Sequence, residues 1–244
     1  MVNKMNTLLL PLAACAVVQS VPTTTSIKEV TPIPSGVTWS LMAWGGEDDE
    51  KGYVIDVDVF ETSEERIAQL KDDSHYGLCY IDVGTAEKWR PDYEQLKPYT
   101  VGKPQYEEED WMDIEILAKD KGCDGVEIDN SDAYAAPLAM KDRFKKDLIS
   151  REIVYMQWLS NAAHGLGMSI GLKNSMEISK NVHQMFEFAI NKSCNQFDEC
   201  KYYAPFQDAG KAIFNVEYKG EQCKSAAKWG MTKKYVEQGH LINC

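Results

Sequence analysis

Short apolar runs alternate with amphipathic stretches from residue 36 to the end of the chain. Residues 38–44 (TWSLMAW) read as a strand stopped by Gly45-Gly46, and residues 53–60 (YVIDVDVF) as a second. Thr62-Ser63 then caps a helix, with Glu64-Glu65 in its first turn and Ile67 and Leu70 on one face. Further strands are read at residues 77–84, 125–129, 169–173, 186–190 and 212–217, with a helix from about Lys145 to His164. Gly165 and Gly167 punctuate the end of that helix. Seven strands separated by helical stretches predict parallel βα units. A doubly wound sheet and a TIM-type (β/α)8 barrel both accommodate that number. Several strands end in polar residues: Asp58, Asp82, Asp129-Asn130, Lys173-Asn174, Asn191 and Glu217. Such a ring favours the barrel, whose sites lie at the C-terminal ends of its strands.

The most apolar stretch is residues 8–18, after Lys4. It is too short to span a bilayer and has the order of a secretory signal. Cleavage after Ser20 divides the chain into a leader (1–20), a polar linker (21–35) and a barrel domain (36–244). Leu12-Ala13-Ala14-Cys15 also resembles a lipobox, in which case Cys15 bears a lipid. Beyond the leader stand Cys79, Cys123, Cys194, Cys200, Cys223 and Cys244, an even set that an exported chain tends to oxidise. Four of them follow residue 190, which predicts a stapled C-terminal segment. No C-x-x-C pair or close His pair is present, so neither a metal nor another cofactor is expected. Asn191-Lys192-Ser193 is a glycosylation sequon at a strand end that disfavours its use.

Charge narrows the partners. Lys and Arg number 26 against 38 Asp and Glu, a formal net charge of −12. Nucleic-acid binding needs a basic footprint that this chain lacks. Anionic membranes are disfavoured for the same reason, whereas cationic or neutral solutes are accommodated. The expected state is a monomer.

Three features carry candidate chemistry. Residues 167–171 (GMSIG) match G-x-S-x-G, but a nucleophile elbow needs strand, turn, helix, and the order here is helix, turn, strand. Residues 123–132 (CDGVEIDNSD) hold four carboxylates. In a strand Glu127 and Asp129 point to one side, and two such acids repel, which raises at least one pKa as acid/base catalysis requires. The same cluster also reads as a solvated acidic loop or a cation site. The aromatics Trp44, Tyr80, Trp89, Trp111 and Tyr134 stand beside polar strand ends, where rings suit sugar faces or ordinary packing.

Residues 78–92 (LCYIDVGTAEKWRPD) resemble the signature CYFSAG…E.WRPD of glycoside hydrolase family 114. Residues 111–114 (WMDI), 122–134 (GCDGVEIDNSDAY), 171–174 (GLKN), 56–60 (DVDVF) and 214–218 (FNVEY) resemble its WLDIR, GCDGVEPDNVDGY, GLKN, YDVDLFD and F.VEY. The resemblance implies a secreted TIM barrel of the endo-α-1,4-polygalactosaminidase group, whose fungal members are often labelled α-galactosidases. It implies a retaining cleavage of α-linked galactosamine or galactose polysaccharide by two carboxylates, about 5–5.5 Å apart.

The family's PDN acid falls on Asp129, the implied nucleophile. Its second acid lies in VNEQC, which reads here as residues 190–194 (INKSC), so that position is Lys192. A lysine is no carboxylic-acid donor. Glu217 at the end of the last strand is the expected substitute, with Glu127 next, while Asp56, Tyr80, Glu127, Lys173 and Asn174 are expected to orient the sugar. The other reading is a glycan-binding relative without catalysis. The stretch between Trp111 and Gly122 is short for the family, which implies a truncated βα unit or an error in the gene model.

Overall fold

The computed structural model describes residues 30–41, 51–91, 93–97, 109–111, 121–132, 148–219, 230–237 and 240–244. The leader, most of the linker, Cys15, Trp44, Tyr134, Cys223 and the short 112–120 stretch lie outside the described residues. In chain order the strands are β1 (Trp39–Leu41), β2 (Val54–Asp58), β3 (Tyr76–Asp82), β4 (Thr85–Glu87), β5 (Glu109–Trp111), β6 (Gly125–Asp129), β7 (Ser169–Lys173), β8 (Phe188–Lys192), β9 (Ala212–Glu217), β10 (Thr232–Glu237) and β11 (His240–Asn243). The helices are α1 (Glu64–Asp72), α2 (Tyr93–Leu96), α3 (Leu148–Leu166), α4 (Ser179–Val182) and α5 (Ala204–Asp208).

The main sheet runs β1-β2-β3-β6-β7-β8-β9-β10-β11. Its first eight strands are parallel, and β11 returns antiparallel to β10. The order never reverses, whereas a doubly wound sheet must reverse at a switch point. Thr232 Oγ1 donates to Val37 O at 3.0 Å, so β10 comes round to the lead-in of β1 and the sheet nearly closes as a TIM-type barrel. The eighth parallel strand is residues 232–237, which sequence periodicity misses because Lys233-Lys234 interrupts the apolar run. Lys234 is nonetheless buried. The parallel strand set is therefore complete, and β4 and β5 form a separate ribbon between β3 and β6.

Alternation along the strands makes two cores. Inside the barrel lie Trp39, Leu41, Val54, Leu78, Phe188, Ile190, Phe214 and Val216. Outside it, Ile55, Val57, Ile81, Val126, Ile128, Ile170, Leu172 and Ile213 meet the helices through Ile67, Leu70, Met156, Leu159, Val182 and Phe206. Ser63 Oγ caps α1 by accepting from Arg66 N at 3.2 Å, and Glu64-Glu65 complement the helix dipole. Gly171 is required where it stands, since a Cβ there would overlap the Phe188 ring. Disulfides join Cys79 to Cys123, tying β3 to the turn before β6, and Cys194 to Cys200, closing the loop after β8. Cys244 is also disulfide-bonded. No helix among the described residues is long and apolar enough to cross a membrane.

Candidate active site at the barrel mouth

The C-terminal halves of β2, β3, β6, β7 and β8 bring one charged cluster into the barrel. Glu127 and Asp129 point inward from β6, because Val126 and Ile128 occupy the outer layer. Lys173 enters from β7, where its Nζ pairs with Glu127 Oε1 and stands 3.1 Å from Asp129 Oδ1. Lys173 is 1% exposed and Glu127 0%. An ammonium at that depth is tolerable only when carboxylates surround it. Burial works to lower the Lys173 pKa, but Asp129 and Glu127 outweigh burial and raise it. The second oxygen of Asp129 accepts from Tyr80 OH at 3.1 Å and faces Lys192 Nζ at 3.7 Å. Burial opposes ionisation of Asp129, yet Lys173 and Lys192 hold its carboxyl well below the usual carboxylate range. Asp129 is therefore an anion, fixed through both oxygens.

Asp82 lies in register with Asp129 on the adjoining strand. Its oxygens accept from Gly84 N (3.0 Å), Thr85 N (2.8 Å) and Asn130 Nδ2 (2.7 Å), and from Thr85 Oγ1. Asn130 turns its amide back through a left-handed backbone at φ 54°, a conformation Asn tolerates. Burial, with the Asp129 charge adding to it, pushes Asp82 up to about 7 against the Thr85 and Asn130 hydrogen bonds. With every oxygen occupied, Asp82 braces the mouth and has no lone pair aimed at a ligand. On β2, Asp58 receives the Arg90 fork at 2.9 and 2.6 Å, while Arg90 Nε reaches Glu87 Oε2 at 2.5 Å. Burial opposes this charge too, but Arg90 keeps the Asp58 carboxyl below its ordinary value.

Asp129, Tyr80, Lys173 and Glu127 thus come together, and Lys192 joins them. Among the expected sugar contacts, Asp56, Glu127 and Lys173 are all but fully buried, and Lys173 joins Glu127 to Asp129. Asn174 Oδ1 accepts from Lys192 N at 3.1 Å and braces the backbone that carries Lys192.

Glu217 does not reach the mouth. Phe214 and Val216 fill the interior, and side chains alternate, so Glu217 points outward. There its Oε1 accepts from Asn195 N and Nδ2 at 3.0 and 2.8 Å, beside Cys194 and Cys200. Those sulfurs are joined to each other, so among the described residues this grouping is no metal site. Asn191 shares the outward face, 0% exposed, and donates to Tyr203 OH at 2.9 Å, which closes the sequon. Ser169 of the GMSIG run sits inside β7 and pairs with Tyr76 OH. Trp89 is exposed, and the Trp111 side chain lies outside the described residues. Sequence reasoning missed the bracing roles of Arg90 and Asp82. The WRPD run contained Arg90, but nothing in its spacing named Asp58 as its partner.

The fold has counterparts among solved structures. The structure is similar to Aspergillus fumigatus Ega3 in complex with galactosamine, at 26% identity and a TM-score of 0.73, covering 91% of this chain and 100% of that one. The glycoside hydrolase domain of PelA from Pseudomonas aeruginosa shares the fold at 12% identity and a TM-score of 0.64, over 86% of this chain and 99% of that one. A single-residue variant of that domain matches equally. No curated protein sequence matches significantly. The sequence profile of the glycoside-hydrolase family GH114 matches residues 20–240, and this chain belongs to that family.

Proposed function

We propose that this chain is a glycosidase of α-linked galactosamine-containing glycans in which Asp129 is the nucleophile. The observation that carries this reading is an ionised Asp129 at the C-terminal mouth of a GH114 barrel, held by Lys173 and Tyr80. A galactosamine complex of a similar protein supports the sugar class. In this reading an Asp129 oxygen forms a bond to the anomeric carbon as the glycosidic C–O bond breaks, and the departing oxygen takes a proton from solvent water. Water then cleaves the glycosyl ester. The disulfides and the expected leader support an extracellular place for this reaction.

Lys192 favours a second reading, glycan binding without turnover, because a cation stands where the proton donor is needed. General acid catalysis contributes roughly 10²–10⁴-fold. An activated aryl α-galactosaminide, whose leaving group departs without a proton, tests Asp129 separately from any acid. Release that disappears in Asp129→Asn supports the glycosidase. Binding of galactosamine oligomers with no release from either substrate supports the second reading.

A further inference from the structure

We infer that Asp56 carries a proton shared with Glu127, and that this carboxyl pair positions Asp129 through Lys173. The proposal goes beyond the glycosidase reading and rests on it only for the role of Asp129. Asp56 lies in β2 and is 0% exposed. Its neighbours in register are Leu41 on β1 and Leu78 on β3, which offer no polar group. Among the described residues, neither Asp56 oxygen accepts a hydrogen bond, and neither does Glu127 Oε2. The Glu127 carboxyl is the side chain that acts most strongly on Asp56, through charge and hydrogen bonding. A donorless Asp56 carboxylate beside the orphaned Oε2 of Glu127 is untenable in a dry barrel interior, and one proton between them satisfies both.

The surrounding charges agree. Besides Glu127, Lys173 on β7 and Lys192 on β8 act on Asp56 through their charge. Lys173 is already committed to Glu127 and Asp129, and Lys192 to Asp129. Lys234 on β10 is buried as well, and Asp56 accepts no hydrogen bond from it. With Asp56 neutral, the carboxylates of Glu127 and Asp129 meet the ammonium groups of Lys173 and Lys192. With Asp56 ionised, the barrel interior would hold an anion without a donor. Burial first, and Glu127 second, raise Asp56 well above the ordinary aspartate value. The contacts then run in sequence: Asp56 fixes Glu127, Glu127 Oε1 holds Lys173, and Lys173 Nζ holds Asp129 Oδ1. Asp56 is a positioning residue with no access to the ligand.

Infrared difference spectroscopy of the full chain at neutral pH, without ligand, tests this. Wild type minus Asp56→Asn is expected to show loss of a protonated-carboxyl C=O stretch. Loss of carboxylate bands instead overturns the proposal. Should Asp56→Asn fail to fold, ¹³C-aspartate labelling of the wild type replaces it. One buried carboxyl is then expected to stay protonated at about pH 8, above the range of Asp82, and full ionisation of every aspartate overturns the idea. Asp56→Asn keeps a donor, so its affinity for galactosamine oligomers should stay within about twofold, while Asp56→Leu should lose about tenfold. Equal loss in both variants rules out positioning by a shared proton. The spectra need no turnover, so they stand even if hydrolysis is never observed.

Discussion

Lys192 Nζ stands 3.7 Å from Asp129 Oδ2, while Lys173 meets the other oxygen of that carboxylate. The pair keeps the Asp129 carboxyl ionised, and under the proposed retaining mechanism Lys192 occupies the position that the family resemblance gives to the proton donor. Lys192→Glu replaces that cation with a titratable carboxyl on the same strand end. Hydrolysis of unactivated galactosamine oligomers is expected to rise by about 10²-fold or more, read as product release per enzyme. No rise, with wild-type cleavage already present, means that the proton comes from another residue.

Arg90 binds Asp58 with both terminal nitrogens and Glu87 with Nε, at a side-chain exposure of 9%. Its guanidinium also lies 4.7 Å from the centre of the Phe60 ring. Arg90→Ala leaves two largely buried carboxylates unmatched, an expected loss of about 3 kcal/mol in denaturant unfolding. Arg90→Lys keeps the charge but lacks the fork, so its loss should fall between wild type and Arg90→Ala. Equal stability of all three proteins would show the contact to be superficial.

Gly171 is expected to be intolerant for a reason visible only inside the barrel. Gly171→Ala drives a methyl group into the Phe188 ring, which is itself packed against Phe214 at 6.1 Å. Overpacking of this kind costs about 1–3 kcal/mol. Phe188→Leu in the same chain should recover part of that loss, because the two sites are in contact and do not behave additively. A double mutant whose losses simply sum would refute the clash.

Glu152 on α3 is 8% exposed, and its Oε1 accepts no hydrogen bond among the described residues. Burial, with Asp132 adding to it, pushes the carboxyl up to about 8. Between the unfolded value of 4.5 and the folded value the native state holds a proton that the unfolded chain has released. Stability must therefore fall as pH rises through that window, by at most about 1.4 kcal/mol per pH unit. Glu152→Gln removes this burden. Its Tm should match the wild type near pH 4.5 and exceed it increasingly toward pH 8. A Tm difference independent of pH would show that Glu152 is ionised in the native protein.

Much of the fold was legible in the chain itself. Residues 54–58, 125–129 and 169–173 have apolar runs bounded by turn residues, and local burial preference suffices to find them. The Ser63 cap and the Ile67/Leu70 face placed α1 in the same way. Residues 232–237 were hidden because the cation Lys234 lies in the interior, a burial that only partners from other strands make tolerable.

The site divides along the same line. The sequence by itself determined that Glu127 and Asp129 share a face, because alternation is a property of one strand. It also placed a lysine at position 192 and a glycine at 171. It did not determine that Glu217 faces away from Asp129. The phase of each strand relative to the barrel axis depends on which residues of β9 the interior of the barrel accepts, and Phe214 and Val216 claim it. Nor did it determine that Lys173 bridges Glu127 and Asp129 or that Arg90 forks onto Asp58, since those partners are brought together only by neighbouring strands and a distant turn. Periodicity is local and survives in one dimension. Charge pairing at the mouth is a product of closure, and closure exists only in the folded barrel.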